Sequence, residues 1–241
     1  MVIQVSGIDV DIVKKDIKNM HLYVYPPNGL VQVSAPLKMS DKSIELFVRT
    51  KISWIRKQRE NIKNQERQDE RQYISGESLY VWGKQYYLKV ELGGNRNNIK
   101  LSGNTAILTA RKNSNAKQRD KYLKEWYRSL LKKELEKLIP VWEERTNLHV
   151  NECKTRYMIT KWGSCKPIKS SLLFNVQLAK KPIKCLNYII LHELTHLKFR
   201  NHDEKFTSFL DEYMPNWREI KKELNDSKLD YMNSSRSIRK D

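Results

Sequence analysis

The chain has 241 residues, 46 Lys and Arg against 28 Asp and Glu for a formal net charge of +18, and 39% hydrophobic residues, an apolar share that excludes a disordered chain and supports one large or two small cored domains. Three cysteines, Cys153, Cys165 and Cys185, are odd in number and form no CxxC pair, which argues against a disulfide framework and a cysteine zinc site. The longest apolar runs fall far short of the ~20 residues that cross a bilayer and MVIQVSGIDVDIVKK lacks the pattern of a signal peptide, so a cytoplasmic protein without a membrane span is expected.

In chain order, HLYVYPPNGLVQVSAP alternates on both sides of a Pro-Pro-Asn-Gly turn and predicts a β-hairpin from about His21 to Ser34. Ser40 is placed to cap one helix carrying Ile44, Phe47, Val48, Ile52 and Ile55 at helical spacing, which runs on into the charge-mixed RKQRENIKNQERQDER. Two further hairpins are predicted in SLYVWGKQYYLKVEL and NIKLSGNTAILTA, each with glycine near its turn. Residues 1–110 thus read as a mainly β lobe. From about Ala116 a long amphipathic helix follows, with Leu123, Trp126, Leu130, Leu135, Leu138 and Trp142 in its stripe and Pro140 expected to kink it or to start a second helix. A strand pair is expected from about Thr155 to Leu178, with KWGSC near its middle and LLFNVQL on its return side. Residues 111–230 form the second domain, and residues 231–241 read as a basic tail. No internal repeat is evident in the sequence.

The stretch HELTHLKFRNH holds three of the five histidines. On a helix His192 and His196 leave one face a turn apart and are able to close on one zinc ion, while Glu193 lies beside that face, placed to take a proton from a metal-activated water. The preceding PIKCLNYIIL is apolar almost all round after Lys184, so the helix is buried, and burying these polar groups without partners costs several kcal/mol. A metal satisfies all three. His202 comes six residues after His196, beyond the reach of a straight helix, so the chain must turn between them, with Asn201 expected in the left-handed conformation. Glu204 and Glu212 are the other donors for a third ligand position. Asp203 is placed to cap a helix with Phe206, Phe209, Leu210 and Tyr213, and Pro215 to open the last one.

Residues 156–217 resemble the YgjP-like metallopeptidase family, a relative of the SprT-like zinc peptidases. The resemblance rests on Arg156, Trp162-Gly163-Ser164-Cys165, Phe174-Asn175, Pro182, Tyr188, His192-Glu193-Leu194, His196-Leu197, Asn201-His202, Phe206 and Pro215 in order, and extends to the β-rich first half. Two positions depart: Asn187 stands where members often carry aspartate, which bears on a hydrogen bond to a zinc ligand, and Thr207 where a tryptophan often follows the phenylalanine. The resemblance implies an α+β protein, a mainly β N-terminal lobe followed by a zincin-like catalytic domain with the HExxH helix and a small sheet. It also implies one zinc per chain on His192, His196 and His202, with Glu193 as base in a peptide-bond hydrolase.

WGSC reads first as a tight turn in which Gly163 bends the hairpin and Trp162 packs on the core, and second as a strand along the substrate cleft with Ser164 or Cys165 near the zinc. Arg156 and Lys161 are candidates to hold an oxyanion or a substrate carboxylate or phosphate. Two alternatives to a peptidase acting on protein or peptide remain at this level: a metal-dependent nucleotide phosphohydrolase, and a SprT-like protease working with nucleic acid in a larger complex. The positive charge is expected to give sequence-nonspecific polyanion affinity, gathered around the β lobe and the helix from Arg49 to Arg71.

Overall fold

The computed structural model describes residues 1–25, 28–64, 71–158 and 161–226. Pro26 and Pro27 of the expected turn, the end of the charge-mixed run and the basic tail lie outside them. The fold is mixed α+β, and the chain divides after Glu70 into two compact units. That boundary replaces the one expected near residue 110, because the second set of hairpins shares one continuous core with the long helix and everything after it, from Leu79 to Leu224.

In the first unit β1 (Val2–Val5), β2 (Ile8–Lys15), β3 (His21–Tyr25) and β4 (Leu30–Pro36) form a sheet in the order β1-β2-β4-β3. The expected hairpin is the antiparallel pair β3–β4, with His21 opposite Ser34, while β2 and β4 run parallel. Alternate residues Ile8, Val10 and Ile12 of β2 and Val31, Val33 and Ala35 of β4 build the core with Ile44, Val48 and Ile55. Ser40 caps as expected, its hydroxyl accepting from the Ser43 amide. The single helix expected there is two, α1 (Asp41–Thr50) and α2 (Ile52–Asn64). The break is local: the Lys51 amide bonds the Val48 carbonyl three residues back, and the Thr50 hydroxyl takes the Phe47 carbonyl.

In the second unit β5 (Ser78–Val81), β6 (Lys84–Leu92), β7 (Asn98–Ser102) and β8 (Thr105–Ala110) take the order β5-β6-β8-β7, again two antiparallel hairpins joined by a parallel central pair. The topology of the first sheet is therefore repeated. The first hairpin of each copy closes on two residues with positive φ, Ser6 and Gly7 at 52° and 77°, Trp82 and Gly83 at 49° and 83°. Two such residues make the turn whose twist matches paired strands. The Trp82–Gly83 turn is also tied to the chain ahead of the fourth helix, its amides donating to the carbonyls of Ala179 and Lys180.

α3 (Ala116–Thr146) starts at a reciprocal cap, where Asn115 accepts from the Gln118 amide and Gln118 from the Asn115 amide. It runs on as one helix past Pro140, so the second helix expected there does not start. Pro140 is exposed, so the carbonyl its ring leaves unpaired faces water. Next come β9 (Glu152–Arg156), β10 (Gly163–Lys166) and β11 (Ser171–Asn175), in the order β10-β11-β9 with β9 parallel and β10 antiparallel to β11. Only Ser171–Asn175 of the expected return strand is extended; Val176–Lys180 is a 3-10 turn. α4 (Ile183–Lys198), α5 (Glu204–Tyr213) and α6 (Trp217–Asp226) complete the unit, and no described helix is long and apolar enough to cross a membrane.

Candidate metal centre

α4 is buried nearly all round, with Cys185, Leu186, Tyr188, Ile189, Ile190, Leu191 and Leu194 in the core. His192 and His196 reach the half-buried side of this helix one turn apart. α4 ends at Phe199, which leaves it extended at φ −125° and ψ 118°, and Asn201 does not take the left-handed conformation expected of it. The extended exit carries the chain far enough for His202 to return. A ligand nitrogen from each of His192, His196 and His202 lies within 4.8 Å of the others, and neither Glu204 nor Glu212 joins this group. The Nε2 atoms of His192 and His202 are 3.1 Å apart, close to the roughly 3.3 Å that two nitrogens on one tetrahedral zinc span. His196 Nδ1 lies 3.1 Å from the Phe199 carbonyl, a donor bond that holds its ring and leaves Nε2 with its lone pair free for a metal.

α5 supplies the floor. Asp203 caps it as expected, accepting from the Phe206 amide. The Phe206 ring, 1% exposed, packs against all three imidazoles with centroids 5.0, 4.8 and 4.6 Å away. From the sequence Phe206 reads as a core position and as one residue of the family resemblance; its place four residues after His202 is the local signal of its role. Tyr188, one turn before His192, lies edge-on to it and stacks on Trp217 of α6. Burial, then His196 and His202, pull His192 down to about 3, so it is neutral across the physiological range.

Glu193 points away from solvent, 5% exposed, and burial pushes its carboxyl up to about 8 against the opposing pull of Lys161. What lies against it is β10. A Cβ built on Gly163 falls 2.5 Å from Glu193 Oε1, and the same side chain supplies all three nearest atoms. WGSC is therefore not the tight turn first expected: Gly163 is a strand residue opposite Phe174, and the bend is Pro167–Lys169 with Ser170.

The sequence model described as YgjP-like, metallopeptidase domain matches residues 18–227. The chain belongs to the YgjP-like family. Among solved structures it is similar to the metallopeptidase zymogen of Pyrococcus abyssi abylysin, at 17% identity and a TM-score of 0.35 over 37% of this chain and 90% of that one. It is also similar to the metallopeptidase zymogen of Methanocaldococcus jannaschii jannalysin, at 26% identity and a TM-score of 0.34 over 38% of this chain and 93% of that one. No curated protein matches. A YgjP-like metallopeptidase requires a metal, and the three-imidazole group fits one in its donor chemistry.

The other expected site residues of this YgjP-like chain separate. Cys165 follows Gly163 on the face toward α4, where burial and then Glu193 push its thiol up to about 11, which leaves it protonated and a poor nucleophile. Ser164 alternates onto the opposite face. Trp162 is half-buried against the core with the Lys181 ammonium 5.8 Å from its ring. Arg156 stands exposed at the end of β9, two strands from β10. Asn187 faces α3, accepting from Trp142 Nε1 at 2.8 Å and donating to the Ile183 carbonyl, so it serves no zinc ligand. Thr207 turns back on its own helix, bonding the Asp203 and Glu204 carbonyls. In the sequence Asn175 reads as the end of a strand and as one residue of the family resemblance, with no sign of its bonds. Its amide nitrogen donates to the carbonyls of Met158 and Lys161, its oxygen accepts from Met158 and Gln177 amides, and its backbone amide donates to the Trp162 carbonyl.

Proposed function

We propose that this chain is a zinc-dependent peptidase of the zincin type in which His192, His196 and His202 hold one zinc ion and Glu193 is the general base. The observation that carries the reading is the convergence of three imidazole nitrogens within 4.8 Å, two from a helix that also presents Glu193 and the third, of His202, from the chain after it. An all-imidazole donor set suits zinc and leaves a fourth position for water or substrate. The bound ion supplies a dipositive charge that acidifies water, polarises a carbonyl and favours the ionised form of Glu193. Glu193 accepts the proton of the attacking water and, buried beside β10, delivers it to the leaving amine without exchange with bulk solvent. β10 lies at the open edge of its sheet. Because Trp162 pairs with Asn175 through its carbonyl, the backbone groups of Gly163 and Cys165 turn outward, where an extended peptide adds as a further strand.

The test is metal analysis of the purified chain together with hydrolysis of denatured casein beside nucleoside triphosphates. One zinc per chain, its loss in His192→Ala and His196→Ala, and casein cleavage abolished by Glu193→Gln with zinc retained are the expected results. Triphosphate hydrolysis without casein cleavage makes the chain a phosphohydrolase instead, and full zinc occupancy in either histidine variant removes the site.

A further inference from the structure

We propose that Gly163 is a positioning residue for Glu193, a flat wall that holds the carboxylate in its working rotamer. The inference rests on the reading of Glu193 as the base. Gly163 does not have a positive φ, so its backbone conformation admits any residue. Space is what requires glycine. A Cβ there lies 2.5 Å from Oε1, 2.7 Å from Cγ and 2.9 Å from Cδ of Glu193, separations that a side chain cannot relieve by turning its carboxylate alone, because Cγ must move as well. Retreat of the strand is blocked too. The Trp162 carbonyl is tied to the Asn175 amide at 2.8 Å, the Lys161 carbonyl to Asn175 Nδ2 at 2.8 Å, and Gly163 itself lies opposite Phe174, which is fully buried. Among the described residues no hydrogen bond holds either oxygen of Glu193. Its orientation comes from packing, and the Gly163 backbone is a surface against which it packs.

A base must sit within a few tenths of an ångström of its proton, so moving Cγ lowers turnover more than it changes substrate affinity. Gly163→Ala is expected to keep full zinc content, lower kcat on denatured casein by about tenfold or more, and leave KM within about twofold. A second readout needs neither metal nor activity. In chelated protein Gly163→Ala is expected to lower the thermal midpoint by roughly 4 °C or more, and to lower it by less than about 1 °C when Glu193→Ala has removed the opposing side chain. Equal shifts in the two backgrounds, or unchanged kcat in Gly163→Ala, overturn the proposal. If Gly163→Ala alone does not fold, the double variant still decides: it folds if the clash with Glu193 is the cause, and its failure to fold overturns the inference. Turnover retained in Glu193→Gln removes the base assignment while the thermal comparison still reports on the contact.

Discussion

Glu193 in the metal-free protein titrates at about 8 and His192 at about 3, because burial disfavours the charged form of each. The two bear on stability with opposite signs. For Glu193 the folded value lies above the ordinary 4.5, so its contribution is complete below about 4.5 and is lost as pH rises toward 8, where the unfolded chain has released a proton the folded chain keeps. For His192 the folded value lies below the ordinary 6.5, so its contribution is complete above about 6.5 and is lost as pH falls toward 3; His196 shifts in the same direction. Between about 4.5 and 6.5 they oppose each other. Between about 6.5 and 8 Glu193 acts alone. The chelated protein is therefore expected to lose thermal stability from pH 6.5 to pH 8, and Glu193→Gln, which cannot ionise, to lose markedly less. The same loss in both would show that another group governs this range. His192 and His196 were legible as a pair because four-residue spacing fixes a shared helix face. Phe206 of α5, which packs on both rings, and Lys221 of α6, which disfavours charge on His192, are connected to them by no local pattern.

At the scale of elements, α5 couples folding to the metal centre through Phe206. Phe206→Ala removes a ring that is almost wholly buried and is expected to cost about 3–5 kcal/mol. Phe206→Leu keeps most of the volume but loses the flat surface under three imidazoles, so it should fold and bind zinc about tenfold more weakly, as loss of a ligand-orienting partner does. Zinc affinity unchanged in Phe206→Leu would reduce that residue to filler. The hydrogen bonds of Asn175 set the loop before β10 in the same way. Asn175→Asp turns a donor toward the Met158 and Lys161 carbonyls into an acceptor, and a loss of about 1–3 kcal/mol in a denaturant titration is expected. Elements with local signals were readable: the caps at Ser40, Asn115 and Asp203, the apolar run of α4, the hairpin ending opposite Ser34. The parallel pairings β2–β4, β6–β8 and β9–β11 were not, since alternation marks which face a residue takes and carries nothing about its partner strand. That is also why the duplicated sheet was hidden. Of its first hairpin only the valine and glycine flanking one turn residue are kept, Val5 and Gly7 against Val81 and Gly83.

For the whole molecule the open question is whom the charge of +18 serves. If a nucleic acid were gripped by the first unit, basic residues would be concentrated there. Instead Met1 to Asn64 holds 11 basic against 6 acidic residues and Arg71 to Asp226 holds 30 against 17, a surplus of about one charge in every 12 or 13 residues in each. Within the first unit the surplus is local, since Arg49 to Asn64 holds 6 basic residues against 1 acidic and so carries all five surplus charges of Met1 to Asn64. Several acidic side chains on the helices are also paired locally, as Glu45 with Arg49, Asp120 with Lys124 and Glu125 with Arg128. A surface of this kind attracts polyanions by counterion release and reads no sequence. The expected result is weak retention of both single- and double-stranded DNA at ~50 mM salt, lost by about 200 mM, with no preference among sequences. Charge reversal at Lys154, Arg156, Lys166 and Lys169, the lysine and arginine positions of the small sheet and its turn, should reduce that retention no more than reversal of four lysines elsewhere on α3. A selective loss from the first set would instead place a phosphate-binding face beside β10 and point to proteolysis on nucleic acid, whereas salt-resistant binding to one sequence would contradict an affinity made of phosphate contacts alone.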